Sequence, residues 1–100
     1  RRPTALVAQA DQLAAGAIRA AESLGLRVPE DLTVTGFDGV DLPWLDHVLT
    51  TVEQPGAEKG RRLGRLVRRT LEGRPIADEA FPVRLRVGTT SSSPPGAGTS

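Results

Sequence analysis

Three polar residues, Asp11, Asp38 and Gln54, each follow a short apolar stretch that is typical of a buried β-strand. In open α/β sheets, ligands bind in the crevice beyond the carboxyl ends of the strands. A carboxylate at that place accepts hydrogen bonds from sugar hydroxyls or nucleobase N–H groups, and a glutamine amide both donates and accepts. Asp11, Asp38 and Gln54 are therefore the candidate ligand-binding residues.

Each of these residues also has an ordinary structural interpretation. Asp38 followed by Gly39 is a common start to a turn. Asp11 is a good helix N-cap, because its carboxylate can accept from the first free backbone N–H groups. A glutamine such as Gln54 is more often an ordinary surface residue. Taken on pattern alone, these structural interpretations are favoured over ligand binding.

The elements around these residues have the pattern of an α/β protein with a parallel sheet. Residues 4–8 and 32–37 are predicted strands, joined by a helix that begins at Asp11 and ends near Gly25. A strand, a helix and a strand in this length predict a βαβ unit with a right-handed crossover. The remaining predicted elements are a strand at 49–52, a helix at 56–71 and a strand at 81–87. The expected apolar faces are Leu13, Ala17, Ala20, Ala21 and Leu24, widened by Ile18, on the first helix and Leu63, Leu66, Val67 and Leu71 on the second.

Composition excludes several classes of protein. Hydrophobic residues make up 38% and charged residues 25%, as in globular domains, and no apolar run is long enough to span a membrane. The chain has no cysteine and one histidine, His47, so neither a disulfide framework nor a metal site is expected. His47 has no paired nucleophile and no glycine-rich phosphate loop is present, so nothing supports an enzyme.

The second predicted helix is strongly basic. Residues 55–75 contain seven basic and two acidic side chains, although the whole chain carries a net charge of only +1. Such a helix could contact phosphates. It has no interleaved aromatic residues and no helix-turn-helix partner, so a solvated helix face is the favoured interpretation.

Three blocks of sequence resemble one known family. The run Gly25–Asp38, Gly-Leu-Arg-Val-Pro-Glu-Asp-Leu-Thr-Val-Thr-Gly-Phe-Asp, resembles the signature of LacI/GalR-family repressors. Leu49–Pro55 followed by Gly60 is similar to the next landmark of that family, and 8–12 to a third. The blocks occur in family order and together cover about residues 3–91.

The resemblance implies a parallel-sheet three-layer sandwich of the periplasmic-binding-protein-like type I, which is incomplete in this chain. Residues 1–90 would form part of an effector-binding domain. Within it, about 1–52 and 82–90 would belong to the C-terminal lobe, and about 53–81 to the N-terminal lobe. The composition of residues 91–100, which are all Ser, Pro, Gly, Ala or Thr, predicts a disordered tail.

The same resemblance implies a function. The chain would be the small-molecule-sensing and dimerising part of a cytoplasmic transcriptional repressor. Its effector would be a sugar or a related metabolite, and it would need no cofactor. DNA would be contacted only through an N-terminal headpiece outside this chain. A solute-binding protein of a sugar transport system is the alternative.

The resemblance also implies roles for individual residues. Asp38 matches its effector-binding aspartate, Gln54 a position that lines the same cleft, and Asp11 the acidic residue after the first strand. Trp44 and Leu45 fall where the family forms its dimer interface, although Trp44 could instead cap the local core.

The chain also departs from the family pattern at two places. Ala10 stands where the family commonly has an asparagine, which removes one polar ligand contact. His47 followed by Val48 replaces a proline, which changes the loop at the mouth of the cleft.

Overall fold

The computed structural model describes residues 2–95, and this part of the chain contains four short strands and two helices. In chain order they are β1 Ala5–Val7, α1 Asp11–Ser23, β2 Thr33–Thr35, β3 Thr51–Glu53, α2 Gly56–Leu71 and β4 Arg84–Arg86. The order and type of all six elements agree with the sequence pattern, and α2 has the predicted bounds. The strands are shorter than predicted.

The strands form a parallel arrangement around the first crossover. β1 pairs with β2 in parallel, with Ala5 opposite Thr33. An isolated parallel bridge between Thr35 and Thr50 connects the β2 strand to the chain leading into β3, and β3 pairs with β4. The predicted βαβ unit is therefore confirmed.

The hydrophobic core lies where α1 packs on this sheet. Its buried members are Ala8, Ala14, Ile18, Ala21, Val28, Leu32, Val34 and Leu49. The predicted apolar face of α1 is wrong in part, because Leu13 and Leu24 are exposed. The helix is rotated so that Asp11, Ala14, Ile18 and Ala21 share the buried face. Sequence reasoning missed this rotation because Asp11 was expected to cap the helix or to contact a ligand, not to turn into the core.

A threonine near the end of the described chain joins two parts of the sheet. Thr90 is fully buried. The backbone N–H of Thr50 donates to Oγ1 of Thr90 (3.0 Å), which in turn donates to the carbonyl of Val34 (2.7 Å). The backbone N–H of Val34 donates to the carbonyl of Thr90 (2.9 Å). These bonds satisfy polar groups that burial would otherwise leave unpaired.

Hydrogen bonds continue into the segment that was predicted to be a disordered tail. Oγ of Ser91 lies 2.7 Å from Oγ1 of Thr50. The backbone N–H of Ser92 donates to Oγ1 of Thr33 (3.1 Å). Ser91 and Ser92 are thus bonded to the body of the protein, in contrast to that prediction, because their hydroxyl and backbone groups find partners there. Residues 96–100 of the predicted tail lie outside the described residues.

The chain divides into two compact units. One comprises the residues up to Glu53 together with those from Leu85 onward, and the other is Gln54–Arg84, built on α2. No residue of α2 is buried, and its predicted apolar stripe is largely uncovered: Leu63, Val67 and Leu71 are 54%, 59% and 83% exposed. Neither helix in the described range is both long and apolar enough to cross a membrane.

Candidate ligand-binding site

The backbone brings Asp38 to the carboxyl end of β3. Its N–H donates to the carbonyl of Val52 (2.9 Å), and Asp38 forms a parallel bridge with Glu53. The side chain of Asp38 is exposed. Asp38 therefore lies at the edge of the sheet where ligands of α/β proteins bind, as the sequence predicted.

Asp38 has a strained backbone. Its φ of 118° is unusual for a residue with a side chain, and Gly39 follows with a φ of 78°. A Cβ atom on Gly39 would lie 2.8 Å from Cγ of Glu53, so both the positive φ and the close approach require glycine there. The Asp38-Gly39 pair was expected to start a turn; the structure gives a positive φ at both residues and places Asp38 in a β-bridge. Strain of this kind at an exposed carboxylate is typical of functional sites, where the surrounding structure must hold it.

Asp11 has a different environment from Asp38. It is 1% exposed, and both of its carboxylate oxygens accept hydrogen bonds within the protein. Oδ2 accepts from the backbone N–H of Val40 (2.7 Å), and Oδ1 accepts from the hydroxyl of Thr51 (2.5 Å). Its own N–H donates to the carbonyl of Phe37 (3.0 Å). The predicted N-cap role is wrong by one residue: Ala10 is the N-cap, because the Asp11 side chain turns inward to these partners.

Glycine at position 36 makes the burial of Asp11 possible. A Cβ atom on Gly36 would overlap Oδ1 of Asp11 and would lie 2.8 Å from Cδ2 of Leu49. A glycine inside a predicted strand is a signal of such close approach. It identifies a position where the first turn of α1 packs directly on the sheet.

Gln54 is half-buried at the start of the second unit. Its Oε1 accepts a hydrogen bond from Nζ of Lys59 (2.7 Å). Lys59 and Arg62 both lie over the ring of Phe81, with the cationic groups 5.7 Å and 5.2 Å from its centroid. The sequence did not predict this cation–π cluster, since Phe81 is far from α2 along the chain.

The two predicted dimer-interface residues have different surroundings. Trp44 is 49% exposed, and the guanidinium of Arg19 lies 4.4 Å from the centroid of its indole ring. Leu45 is half-buried and packs against the core. Leu45, rather than Trp44, thus contributes to covering the core, and the indole remains available on the surface.

A cavity of about 460 Å³ opens beside the ends of the strands in the first unit. This volume lies within the range of small-molecule sites, about 300–1,000 Å³. Its lining consists of Val7, Ala8, Gln9, Thr35, Gly36, Phe37, Thr51, Val52 and Leu85. Gln9 is an amide in this lining that sequence reasoning did not select. Among residues 2–95, no three His, Asp or Glu side chains are grouped as a metal ion would require.

The side chains with clearly shifted pKa values lie on the surface. A hydrogen bond from Arg27 lowers the pKa of Asp31, and the same contact raises the pKa of Arg27. Hydrogen bonds from Arg61 and Arg62 lower the pKa of Glu58. These pairs are exposed, so their contribution to stability is small.

A family model described as a periplasmic binding protein-like domain matches residues 1–91. The chain belongs to this family. Among its curated relatives are the transcriptional repressor CytR of Escherichia coli, 41% identical over 75 residues, and the transcriptional regulator MalR of Streptomyces coelicolor, 40% identical over 95 residues. These alignments cover 74% and 91% of this chain but only 22% and 28% of the relatives. The chain thus spans about a quarter of their length.

Solved structures give the same result for the fold. The lac repressor dimer bound to operator and the anti-inducer ONPF matches with a TM-score of 0.80 and 32% identity. A LacI family regulator from Enterococcus faecium with bound ribose matches with a TM-score of 0.81 and 27% identity. The matches cover 89% and 92% of this chain and 32% and 35% of the solved chains. The predicted fold class and the resemblance to LacI/GalR repressors are confirmed, and these relatives favour a regulator over the transport alternative.

Proposed function

We propose that this chain is the effector-sensing part of a LacI-type transcriptional repressor, which binds a sugar or a related polyhydroxylated metabolite at the carboxyl ends of its strands. The observation that carries the proposal is the exposed carboxylate of Asp38, held by a strained backbone beside the end of β3. The whole regulator would act in the cytoplasm and contact DNA through a headpiece outside this chain. The residues 1–52 and 82–90 would form one lobe, and 53–81 part of the other.

The candidate residues receive different roles in this proposal. Asp38 accepts hydrogen bonds from ligand hydroxyls, and Gln54 is a predicted ligand contact on the family resemblance. Asp11 is a positioning residue rather than a ligand contact, because it is buried and both oxygens already have partners. Its bond to Val40 fixes the backbone two residues after Asp38. A buried acceptor of this kind orders the loop that presents the ligand-binding carboxylate.

The choice of a sugar rests on chemistry and on one relative. An ionised carboxylate is an acceptor only, and sugars present several hydroxyl donors. The regulator from Enterococcus faecium that shares this fold holds ribose. A polyhydroxylated ligand is therefore the class that fits Asp38 best.

Ligand binding would control DNA binding through the subunit arrangement. The exposed Trp44 and its neighbour Leu45 would form part of a dimer contact, as the dimeric state of the matching lac repressor suggests. A ligand shifts the equilibrium between two arrangements only as far as its affinity for them differs. The dimer contact would transmit that bias to the headpieces.

Calorimetric titration of the full-length parent protein with a panel of sugars and nucleosides tests this function. We expect one saturable ligand, whose affinity falls at least tenfold in Asp38→Ala, which corresponds to about 1.4 kcal/mol. The affinity of Asp38→Asn should also fall, because asparagine retains the shape of the side chain but loses its charge. Asp41→Asn is the matched control, since Asp41 is also exposed and lies three residues further along, and its affinity should remain within about twofold of the parent, well below that tenfold threshold. If the parent and Asp38→Ala bind the ligand equally well, Asp38 has a structural role only.

A further inference from the structure

The loop of residues 40–48, called the Trp44 loop here, is attached to the outer face of α1 by two side-chain contacts. The guanidinium of Arg19 stacks on the indole of Trp44. One turn later, Oε2 of Glu22 lies 3.0 Å from Nε2 of His47. Because Arg19 and Glu22 are three residues apart, they lie on the same face of α1. One helix face therefore holds both the aromatic residue and the histidine of the loop.

His47 contacts α1 and also lines a cavity formed largely by the Trp44 loop. Its side chain is 17% exposed, whereas Glu22 is half exposed. The cavity measures about 330 Å³, and its charged lining comprises Asp41 of the loop and Arg86 of β4 beside His47. Asp46 is the neighbouring acid in the chain. Arg86 is itself paired with a carboxylate of β3, at 3.2 Å. Glu22 is therefore the hydrogen-bonded charged partner of this imidazole.

The charge of this contact depends on pH. Histidine is the side chain that ordinarily changes its charge between about pH 5 and 8, whereas carboxylates remain ionised over that range. A protonated histidine beside an ionised carboxylate makes a charge-assisted hydrogen bond, which is about twice as strong as the bond that a neutral imidazole makes.

We infer that His47 and Glu22 form a pH-dependent clasp, which fixes the Trp44 loop on α1 while the imidazole is protonated and loosens it when the proton is lost. The consequence is that the surface formed by Trp44 and Leu45 is ordered in mildly acidic conditions. Only the use of this surface as a dimer contact rests on the proposed function. The clasp itself is a property of the contacts between α1 and the loop.

The sequence supplies its own probes, because the 100-residue chain has one tryptophan and one histidine. Acrylamide quenching of Trp44 fluorescence should increase by about half or more, in a single step, between about pH 5.5 and 8. The ring-proton NMR signal of His47 should change over the same pH interval as the quenching. A quenching constant that stays flat across this range would overturn the inference.

Two variants test the partners. Glu22→Gln and His47→Gln should each remove the pH step in quenching, while far-UV circular dichroism shows that helix content is unchanged. Glu72→Gln is the matched control, because it also removes an exposed carboxylate paired with an arginine, Arg74, at 3.6 Å in the other unit. It should retain the full step. A step that persists in His47→Gln would assign the transition to another group and overturn the clasp.

A salt titration of the parent chain keeps the test independent of how the variants fold. At about 1 M salt the Debye length falls to about 3 Å, so distant charges are screened, whereas a contact pair with one side chain only 17% exposed is screened much less and the pH step should persist. A step that disappears in high salt would assign it to distant charges and contradict the contact pair. Failure of ligand binding in the Asp38 experiment would leave these results unaffected, so the two proposals can fail separately.

Discussion

Gly36 and Asp11 are packed so closely that no Cβ atom fits between the strand backbone and the buried carboxylate. An alanine at Gly36 would overlap Oδ1 of Asp11 and press on Leu49, and both neighbours are buried. Overpacking of this kind costs about 1–3 kcal/mol. We expect Gly36→Ala to lower the urea midpoint of the chain by a corresponding amount at an unchanged slope.

Gly64→Ala is the matched control for that substitution. Gly64 lies inside α2, and no heavy atom would be within 4 Å of an added Cβ. Replacement of a helical glycine by alanine reduces the entropy lost on folding, which stabilises by about 0.5–1 kcal/mol. The two glycine-to-alanine changes should therefore have opposite signs. Equal effects would contradict the close packing at Gly36.

Removal of the Asp11 carboxylate should destabilise the ends of two strands together. In Asp11→Asn, one oxygen can still accept from Thr51, but the new NH₂ group would face the N–H of Val40 as a second donor. A buried donor left without an acceptor costs about 1–3 kcal/mol. Chemical unfolding measures this loss. Thr51→Val leaves Oδ1 of the buried carboxylate without its donor and should also destabilise the chain, so an unfolding free energy equal to that of the parent would contradict the assigned bond.

Local pattern was sufficient to predict the elements of this chain but not the orientation of α1. The bounds of α2 follow from its basic and apolar spacing and from the glycine that ends it, Gly73, whose φ is 70°. The buried face of α1 could not be predicted from apolar residues, since it begins at Asp11. A buried carboxylate becomes favourable only when distant donors meet it, and those donors come from Val40 and Thr51, 29 and 40 residues away.

The same limit applies to the candidate site. Asp38 was predicted from its position after a strand and from family resemblance, and the structure places it at the end of β3. The stacking of Lys59 on Phe81 depends on side-chain packing within the second unit. No short-range pattern encodes this contact, because the two residues are far apart along the chain and approach only after it has folded.

Asp38 should show a trade-off between stability and binding. A non-glycine residue at a φ of 118° carries a backbone cost of about 1–3 kcal/mol. Asp38→Gly should therefore raise the free energy of unfolding by about 1 kcal/mol and abolish ligand binding. Asp38→Asn should leave stability nearly unchanged, because asparagine also tolerates positive φ. Unfolding and calorimetry on both variants check this. A destabilised Asp38→Gly would show that the carboxylate has a structural role instead.

Acid should weaken α2 through Glu58. Hydrogen bonds from Arg61 and Arg62 hold the pKa of Glu58 below its ordinary value of 4.5. A lowered pKa in the folded state means that the stabilisation is present above the unfolded pKa and is lost as the pH falls through the folded one. Helix content followed by circular dichroism should decline below about pH 4.5, and less so in Glu58→Gln. Glu79→Gln, in the same unit, should retain the acid response of the parent.

The uncovered stripe of α2 should make the isolated chain self-associate. Leu63, Val67 and Leu71 follow one another at helical spacing and are all more than half exposed. Contiguous exposed apolar surface promotes association, because its burial removes it from water at about 25 cal/mol per Å². Light scattering should show dimers or larger species whose population increases with concentration. Val67→Lys should shift the chain towards the monomer with little loss of unfolding free energy, because Val67 is 59% exposed. Leu66→Lys is the informative comparison, since Leu66 is half-buried and its replacement should also destabilise the unit. A compact, monodisperse parent monomer at high concentration would contradict the prediction and would imply that the stripe tolerates exposure to water.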